Sequence, residues 1–151
     1  MSMERLRYPE ASPEAVAAVR GVEAYIRASG LETSLIELVK MRASQINGCA
    51  FCLDMHSRAA RRAGESEQRL YLLDAWEECA LYTPRERAAL AWTEAVTRIA
   101  ETKAPDAAYE AARAQFTDKE LVDLTTLIGL INLWNRLAIA FRAPLPRAPA
   151  A

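Results

Sequence analysis

The sequence predicts an all-α fold, on three observations. Hydrophobic residues recur at three- and four-residue intervals through most of the chain. Nowhere do β-branched and polar residues alternate over the length of a strand. Only 5 glycines occur in 151 residues, few for a sheet protein full of tight turns. A compact bundle of about seven helices with short connections follows. The chain length suits one domain of about 100–200 residues. A content of 52% hydrophobic and 26% charged residues can build a real core.

The elements follow from local signals. Ser12-Pro13-Glu14 opens a first helix with a cap, a proline at the first helical position and an acid in the first turn; Gly30 stops it. Thr33 and Ser34 open a second, with Leu35, Leu38, Val39, Arg42 and Ile46 along one side, and Asn47-Gly48 breaks it. A third runs from Cys49 to Ala63, closed by Gly64. Ser66 caps a fourth that carries Leu70, Leu73 and Trp76. Thr83-Pro84-Arg85-Glu86 is a capping box, in which threonine and glutamate each satisfy a free N–H near the other. The helix behind it holds Leu90, Trp92, Ala95, Val96 and Ile99. Pro105 begins a short helix through Phe116, and Thr117-Asp118-Lys119-Glu120 is a second capping box before a long apolar helix. That helix is apolar around more than one face, so it must be buried on most sides, partly against another subunit. Residues 1–142 form the single domain, and residues 143–151 (APLPRAPAA) a flexible tail.

The formal net charge of −1 and the scattered Lys and Arg argue against nucleic-acid or membrane-surface binding. The N-terminus MSMERLRYPEAS shows no signal peptide. The apolar run Leu121 to Phe141 is interrupted by Asp123, Asn132, Asn135 and Arg136, which suits an interior helix better than a membrane span. With 3 cysteines and no export signal, the expected compartment is the reducing cytoplasm. Cys79 is expected in the core or an interface, as are Tyr71, Tyr82, Trp92 and Trp134. Asn132 and Asn135, set among apolar residues, should be hydrogen-bonded.

The chemistry concentrates in NGCAFCLDMH, residues 47–56. Offsets of three and four place Cys49, Cys52 and His56 on one helical stripe. Asn47 or Gly48 is the natural cap, which puts Cys49 in the first turn, where free N–H groups and the helix dipole favour a thiolate. His56, one turn beyond Cys52, favours deprotonation of Cys52 instead. The two effects compete, and the positioned base inclines the choice to Cys52 as attacking thiol, with Cys49 resolving the sulfenic acid. Zinc is a poorer reading: only Cys79 remains as a further thiol, and there is no second histidine. Covalent haem would need histidine directly after Cys52, where Leu53 stands, and a thioredoxin-like site would need a βαβ setting. No bound cofactor and no metal are expected. Glu37 completes Ser34-Leu35-Ile36-Glu37, which has the form of a capping box. Arg42 has two readings, a partner for an acid or substrate and an interface side chain.

Glu37, eleven residues, Cys49-Ala50-Phe51-Cys52, three residues and His56 together resemble the signature of alkylhydroperoxidase D (AhpD)-like proteins. These belong to the carboxymuconolactone decarboxylase superfamily. LVKMRASQINGCAFCLDMHSRAARRAG, LYTPRERAALAWTEAVT and LIGLINLWNRLAIAF are similar as well. The resemblance implies an all-helical fold assembled as a homotrimer or homohexamer, and a peroxidase cycle on hydroperoxides. It implies Cys52 as peroxidatic thiol, Cys49 as resolving thiol, His56 as base and Glu37 as the start of a proton relay. It further implies an external dithiol reductant, a dihydrolipoyl group carried by a protein or lipoyl domain. The founding enzyme has a histidine immediately before its second cysteine, where this chain has Phe51. Two other functions stay open: a thiol–disulfide relay or redox sensor without peroxide turnover, and a decarboxylase or lyase acting on a small carboxylic acid. The decarboxylase branch generally lacks the cysteine pair, so CAFC argues against lactone decarboxylation.

Overall fold

The computed structural model describes residues 3–146. Among them there are nine α-helices, one 3-10 helix and no strand. They are α1 (Tyr8–Ala11), α2 (Pro13–Ala28), α3 (Thr33–Asn47), α4 (Ala50–Arg62), α5 (Glu67–Tyr71), the 3-10 helix (Leu73–Glu78), α6 (Pro84–Thr97), α7 (Ile99–Thr102), α8 (Asp106–Arg113) and α9 (Asp118–Phe141). The all-α prediction holds, and the extra segments are short. Pro9 starts α1, and Pro13 ends it by pushing Ser12 out of helical geometry. The expected fourth helix is split, because the chain leaves helical geometry at Leu72 and again at Ala75 while it carries Trp76 inward. Ile99 belongs to α7 instead of α6, since Arg98 is non-helical. The helix after Pro105 stops at Arg113, short of Phe116.

Both threonine capping boxes form. Thr83 and Thr117 each accept an N–H three residues on, and Glu86 and Glu120 bond back to the cap N–H groups. The expected box at Ser34 does not form. Glu32 is the N-cap of α3, no side chain caps that end, and Glu37 bonds elsewhere.

The core is built around α3 and α9. α3 packs on α4, α6 and α9, and α9 also packs on α2 and α6. Leu35, Val39, Ala89, Leu124, Leu127 and Ile128 form its centre. Each of these leucine, valine and isoleucine side chains contributes about 1.5–3 kcal/mol by leaving water. By length and composition α9 is the one described helix apolar enough to cross a membrane. Here it is a central helix with nine buried residues, including Asp123 and Asn135. Asp123 is held by the Tyr25 hydroxyl at 2.7 Å and by Lys119 Nζ at 2.6 Å. The outer side of α9 stays exposed, with Val122, Thr126, Gly129 and Leu133 in a row.

The expected core aromatics divide. Tyr82 and Trp92 are buried, Trp134 is half-buried and Tyr71 is exposed. Cys79 is half-buried against the cluster around Leu73 and Trp76. Residues 147–151, most of the predicted tail, lie outside the described residues; 143–146 have no regular structure.

Candidate active site

The site begins at the reversal between α3 and α4. Gly48 ends α3 in the left-handed region at φ 68°, which glycine adopts without a Cβ penalty. The N–H of Cys49 bonds back to Ser44 O at 3.0 Å, and the chain enters α4 at once. The cap of α4 is therefore Cys49 itself, not Asn47 or Gly48 as the sequence suggested. Its Sγ accepts the N–H of Cys52 at 3.3 Å, the bond a serine cap would make. Cys52, His56 and Ala60 form the buried stripe of α4, as the spacing predicts.

Antiparallel packing of α3 on α4 sets Glu37 against His56. Oε2 of Glu37 lies 2.9 Å from Nδ1, and the two residues are 2% and 5% exposed. With the carboxylate as acceptor Nδ1 donates to Oε2, and in the neutral imidazole Nε2 then holds the free lone pair. Nε2 is buried and has no hydrogen-bond partner among the described residues. Glu37 thus holds the imidazole in the tautomer a general base requires, a role an acid plays in catalytic triads.

The two thiols are free, and each residue is 1% exposed. They pack with Ala43, Ile131 and Ala138. A hydrogen bond from the Cys52 thiol lowers the pKa of Cys49 to about 7, against the opposing effect of burial. The N–H groups of Cys52 and Phe51 and the side chain of Asn135 act in the same direction. Cys52 is driven upward, first by its hydrogen bond to Cys49 and then by burial. In the reduced pair, the hydrogen bond between the two thiols favours a thiolate at Cys49 over one at Cys52.

An open groove of about 730 Å³ runs between the start of α4 and the end of α9. Cys49 lines it, with Ala50, Phe51, Ala138, Ile139 and Arg142 among its other walls. The position of the founding enzyme's extra histidine is here an apolar wall.

The floor under the dithiol is pinned by amides. Asn47 Nδ2 donates to Asn132 Oδ1 and to Asn135 Oδ1, both at 2.9 Å, and Asn135 Nδ2 donates to Ser44 Oγ at 3.0 Å. The expectation that the two α9 asparagines are bonded is met, and they tie α9 to the α3–α4 reversal. Asn135→Ala should cost about 1–3 kcal/mol in urea denaturation, because Asn47 and Ser44 lose buried partners. It should also raise the Cys49 pKa, read from thiolate absorbance.

Arg42 partners acids: its Nε is 2.8 Å from Glu94 Oε1, and it also bonds Asp74 and Gln45. It lines neither the groove nor the dithiol cluster.

Three features escape the sequence. Tyr8 docks on Phe141 at 6.0 Å between ring centroids, and its phenol pKa is raised by burial and then by the charges of Cys52 and Cys49. Arg142 reaches the groove wall from beyond the last helix. Lys40 is 0% exposed and ion-paired with Glu23. Only the apolar neighbours of Lys40, Val39 and Met41, hint at its burial. Among the described residues, no three His, Cys, Asp or Glu side chains converge as a metal-ligand set.

The geometry defines a class: a helical dithiol protein with a carboxylate-oriented histidine one turn behind its cysteines. Residues 10–95 match the model of the carboxymuconolactone decarboxylase family, and the chain belongs to that family, in its AhpD-like branch. It is 44% identical over 137 residues to the uncharacterized protein YdfG of Bacillus subtilis, covering 91% of this chain and 93% of that one. A crystal structure from Agrobacterium tumefaciens, provisionally assigned to antioxidant defence as AhpD, superposes with a TM-score of 0.94 at 52% identity, covering 97% of this chain and 100% of that one. The debrominase Bmp8 shares the fold at a TM-score of 0.77 and 19% identity, over 91% of this chain and 74% of that one.

Proposed function

We propose that the protein is a cytoplasmic dithiol peroxidase that reduces hydroperoxides with Cys49 and Cys52. The observation that carries this reading is the paired arrangement at the head of α4. One thiol ionises near neutrality, and a second thiol sits behind it. The Glu37–His56 pair lies one turn further along. Hydroperoxide and two thiols become alcohol, water and the Cys49–Cys52 disulfide, so two electrons pass from sulfur to oxygen. A dihydrolipoyl or other external dithiol returns them by exchange. Glu37 and His56 handle the protons, and no bound cofactor or metal enters the cycle.

The exposed side of α9, with Val122, Leu133 and Ile139 outward, supports assembly with further copies, a homotrimer or homohexamer. Membership of the AhpD-like branch and its link to antioxidant defence support the peroxidase reading at the family level.

Steady-state assays with dihydrolipoamide, thioredoxin and glutathione side by side test it. Turnover with a dithiol and little with glutathione is the expected result. No turnover with any reductant, while the disulfide still exchanges with small dithiols, favours the redox relay instead. A lyase activity that survives replacement of both cysteines would favour the third reading.

The pH dependence follows from Cys49. Its folded pKa of about 7 lies below the ordinary 9.0, so the thiolate is lost as pH falls through 7 and nearly complete by pH 8.5. An ordinary thiol is only a few per cent ionised at neutrality. The single-turnover rate with hydroperoxide should rise with pH to a half-maximum near 7.

A further inference from the structure

We infer that the groove beside the dithiol is the seat of an anion on an apolar chain, a fatty-acid hydroperoxide, and that Arg142 holds its carboxylate. The substrate half of this inference rests on the peroxidase reading; the anion seat does not.

Three observations carry it. The first is the make-up of the groove. Cys49 lines it, and Phe51, Ala138 and Leu145 give it apolar walls. Arg142 is the one charged residue among its described walls. Leu145 stays exposed, so the groove is apolar and open to a ligand. Ile139 divides it from a second hollow, lined by Arg136, that also holds no acid.

The second is a cation without a partner. The guanidinium groups of Arg42, Arg58, Arg69 and Arg85 each pair with a carboxylate of the protein. The Arg142 side chain makes no ion pair and no hydrogen bond among the described residues. Arg136, its neighbour along the helix, bonds only to Asn132 one turn back.

The third is that the end of α9 is prepared for a negative charge. The unpaired carbonyls of a helix C-terminus repel an anion. Here the last four are all occupied. Ala138 O accepts the Ala143 N–H at 2.9 Å, and Ile139 O the Arg142 N–H at 3.3 Å. Ala140 O accepts the Arg5 guanidinium at 3.2 Å, and Phe141 O the Arg5 N–H at 3.0 Å. Arg142 itself stands at φ 54°, the left-handed position where glycine is the usual occupant. A side chain kept there at a conformational cost points to a use for that side chain.

The ligand's chemistry divides along its length. The carboxylate meets the guanidinium, which can bond it through two N–H groups at once. The chain lies on Phe51, Ala138 and Leu145 and leaves water. The hydroperoxide end reaches the dithiol. There the O–O bond breaks, the two thiols become a disulfide, and the chain leaves as a hydroxy acid with one water. The head is unchanged. A dithiol with the same anionic head, such as dihydrolipoate, would be recognised by the same groups, so the test separates the two.

That test compares linoleic acid hydroperoxide with its methyl ester, which keeps the chain and removes the charge, with neutral dihydrolipoamide as reductant. The kcat/KM for the acid should exceed that for the ester at least ~tenfold, the scale of one charge-assisted hydrogen bond, and the excess should shrink as salt is added. Arg142→Gln should erase the preference by raising KM for the acid far more than it lowers kcat. Arg142→Lys should keep part of it. Arg142→Gly, which relieves the left-handed residue, should erase the preference and unfold at no lower urea concentration than wild type. As a readout without turnover, decanoate below its micelle concentration should slow alkylation of the thiols by iodoacetamide in the wild type and not in Arg142→Gln. Equal rates for acid and ester, or a preference that survives both Arg142→Gln and Arg142→Gly, overturns the inference and leaves the peroxidase reading standing. So does an Arg142-dependent preference for dihydrolipoate over dihydrolipoamide with none between the two peroxides, because the groove then seats the reductant. Protection by decanoate that needs Arg142, with no hydroperoxide turned over, upholds the anion seat and removes the peroxidase reading.

Discussion

Catalytic peroxide turnover by Cys49→Ser and by Cys52→Ser should fall at least ~10³-fold, the scale on which loss of an obligatory nucleophile is felt. Both proteins should stay folded, because each sulfur occupies a small buried position at the head of α4 and contributes little of the core. The two losses should differ in kind. The variant that keeps the attacking thiol consumes a single equivalent of peroxide and stalls at the sulfenic acid, whereas the variant that lacks it is slow from the first step. Coupled steady-state assays give the common loss, and rapid mixing with one equivalent of hydroperoxide separates the two. His56→Asn should lower turnover as well, since the imidazole oriented by Glu37 is the base beside the dithiol.

The largest effect on stability is expected far from the sulfurs. Glu23→Ala should cost about 3–5 kcal/mol, because Lys40 would be left as an uncompensated buried charge. Lys40→Met should cost much less, as methionine fills a similar volume and removes the charge. Adding it to Glu23→Ala should recover a large part of the loss, and urea midpoints for the four proteins of the cycle measure the coupling.

The acid dependence has a definite sign. Burial raises the pKa of Glu23, but the hydrogen bond and charge of Lys40 lower it more, and the net shift is downward from 4.5. The pair's contribution is therefore complete above the ordinary carboxylate value and is lost as pH falls through the lower folded one. The gap between wild type and the double variant should narrow below pH 4.5.

What could be read from the sequence was what local chemistry decides. Thr83 with Glu86 and Thr117 with Glu120 signal helix starts within four residues, and both boxes form. The stripe of Cys52 and His56 follows from helical periodicity alone. The misreadings arise where a local pattern competes with a distant partner. Ser34 to Glu37 has the form of a cap, but the glutamate is turned toward a histidine 19 residues away and buried with it. Cysteine is not a preferred cap, so the pattern points to Asn47 or Gly48, whereas Cys49 itself takes the position. Lys40 is of a residue type almost always exposed, and its acid lies on another helix. Tyr8 packs on Phe141, and Arg5 N–H bonds Phe141 O at 3.0 Å, contacts across nearly the whole chain that no local pattern signals.

The most direct test of the central claim is a thiol titration of the reduced protein before and after one equivalent of hydroperoxide. The chain carries 3 cysteines. Peroxide treatment should remove two thiols per chain without cross-linking chains, leave Cys79 free, and give a peptide joined by a Cys49–Cys52 disulfide; a dithiol should restore the full count. Retention of all the thiols, or a loss confined to Cys79, would contradict the account.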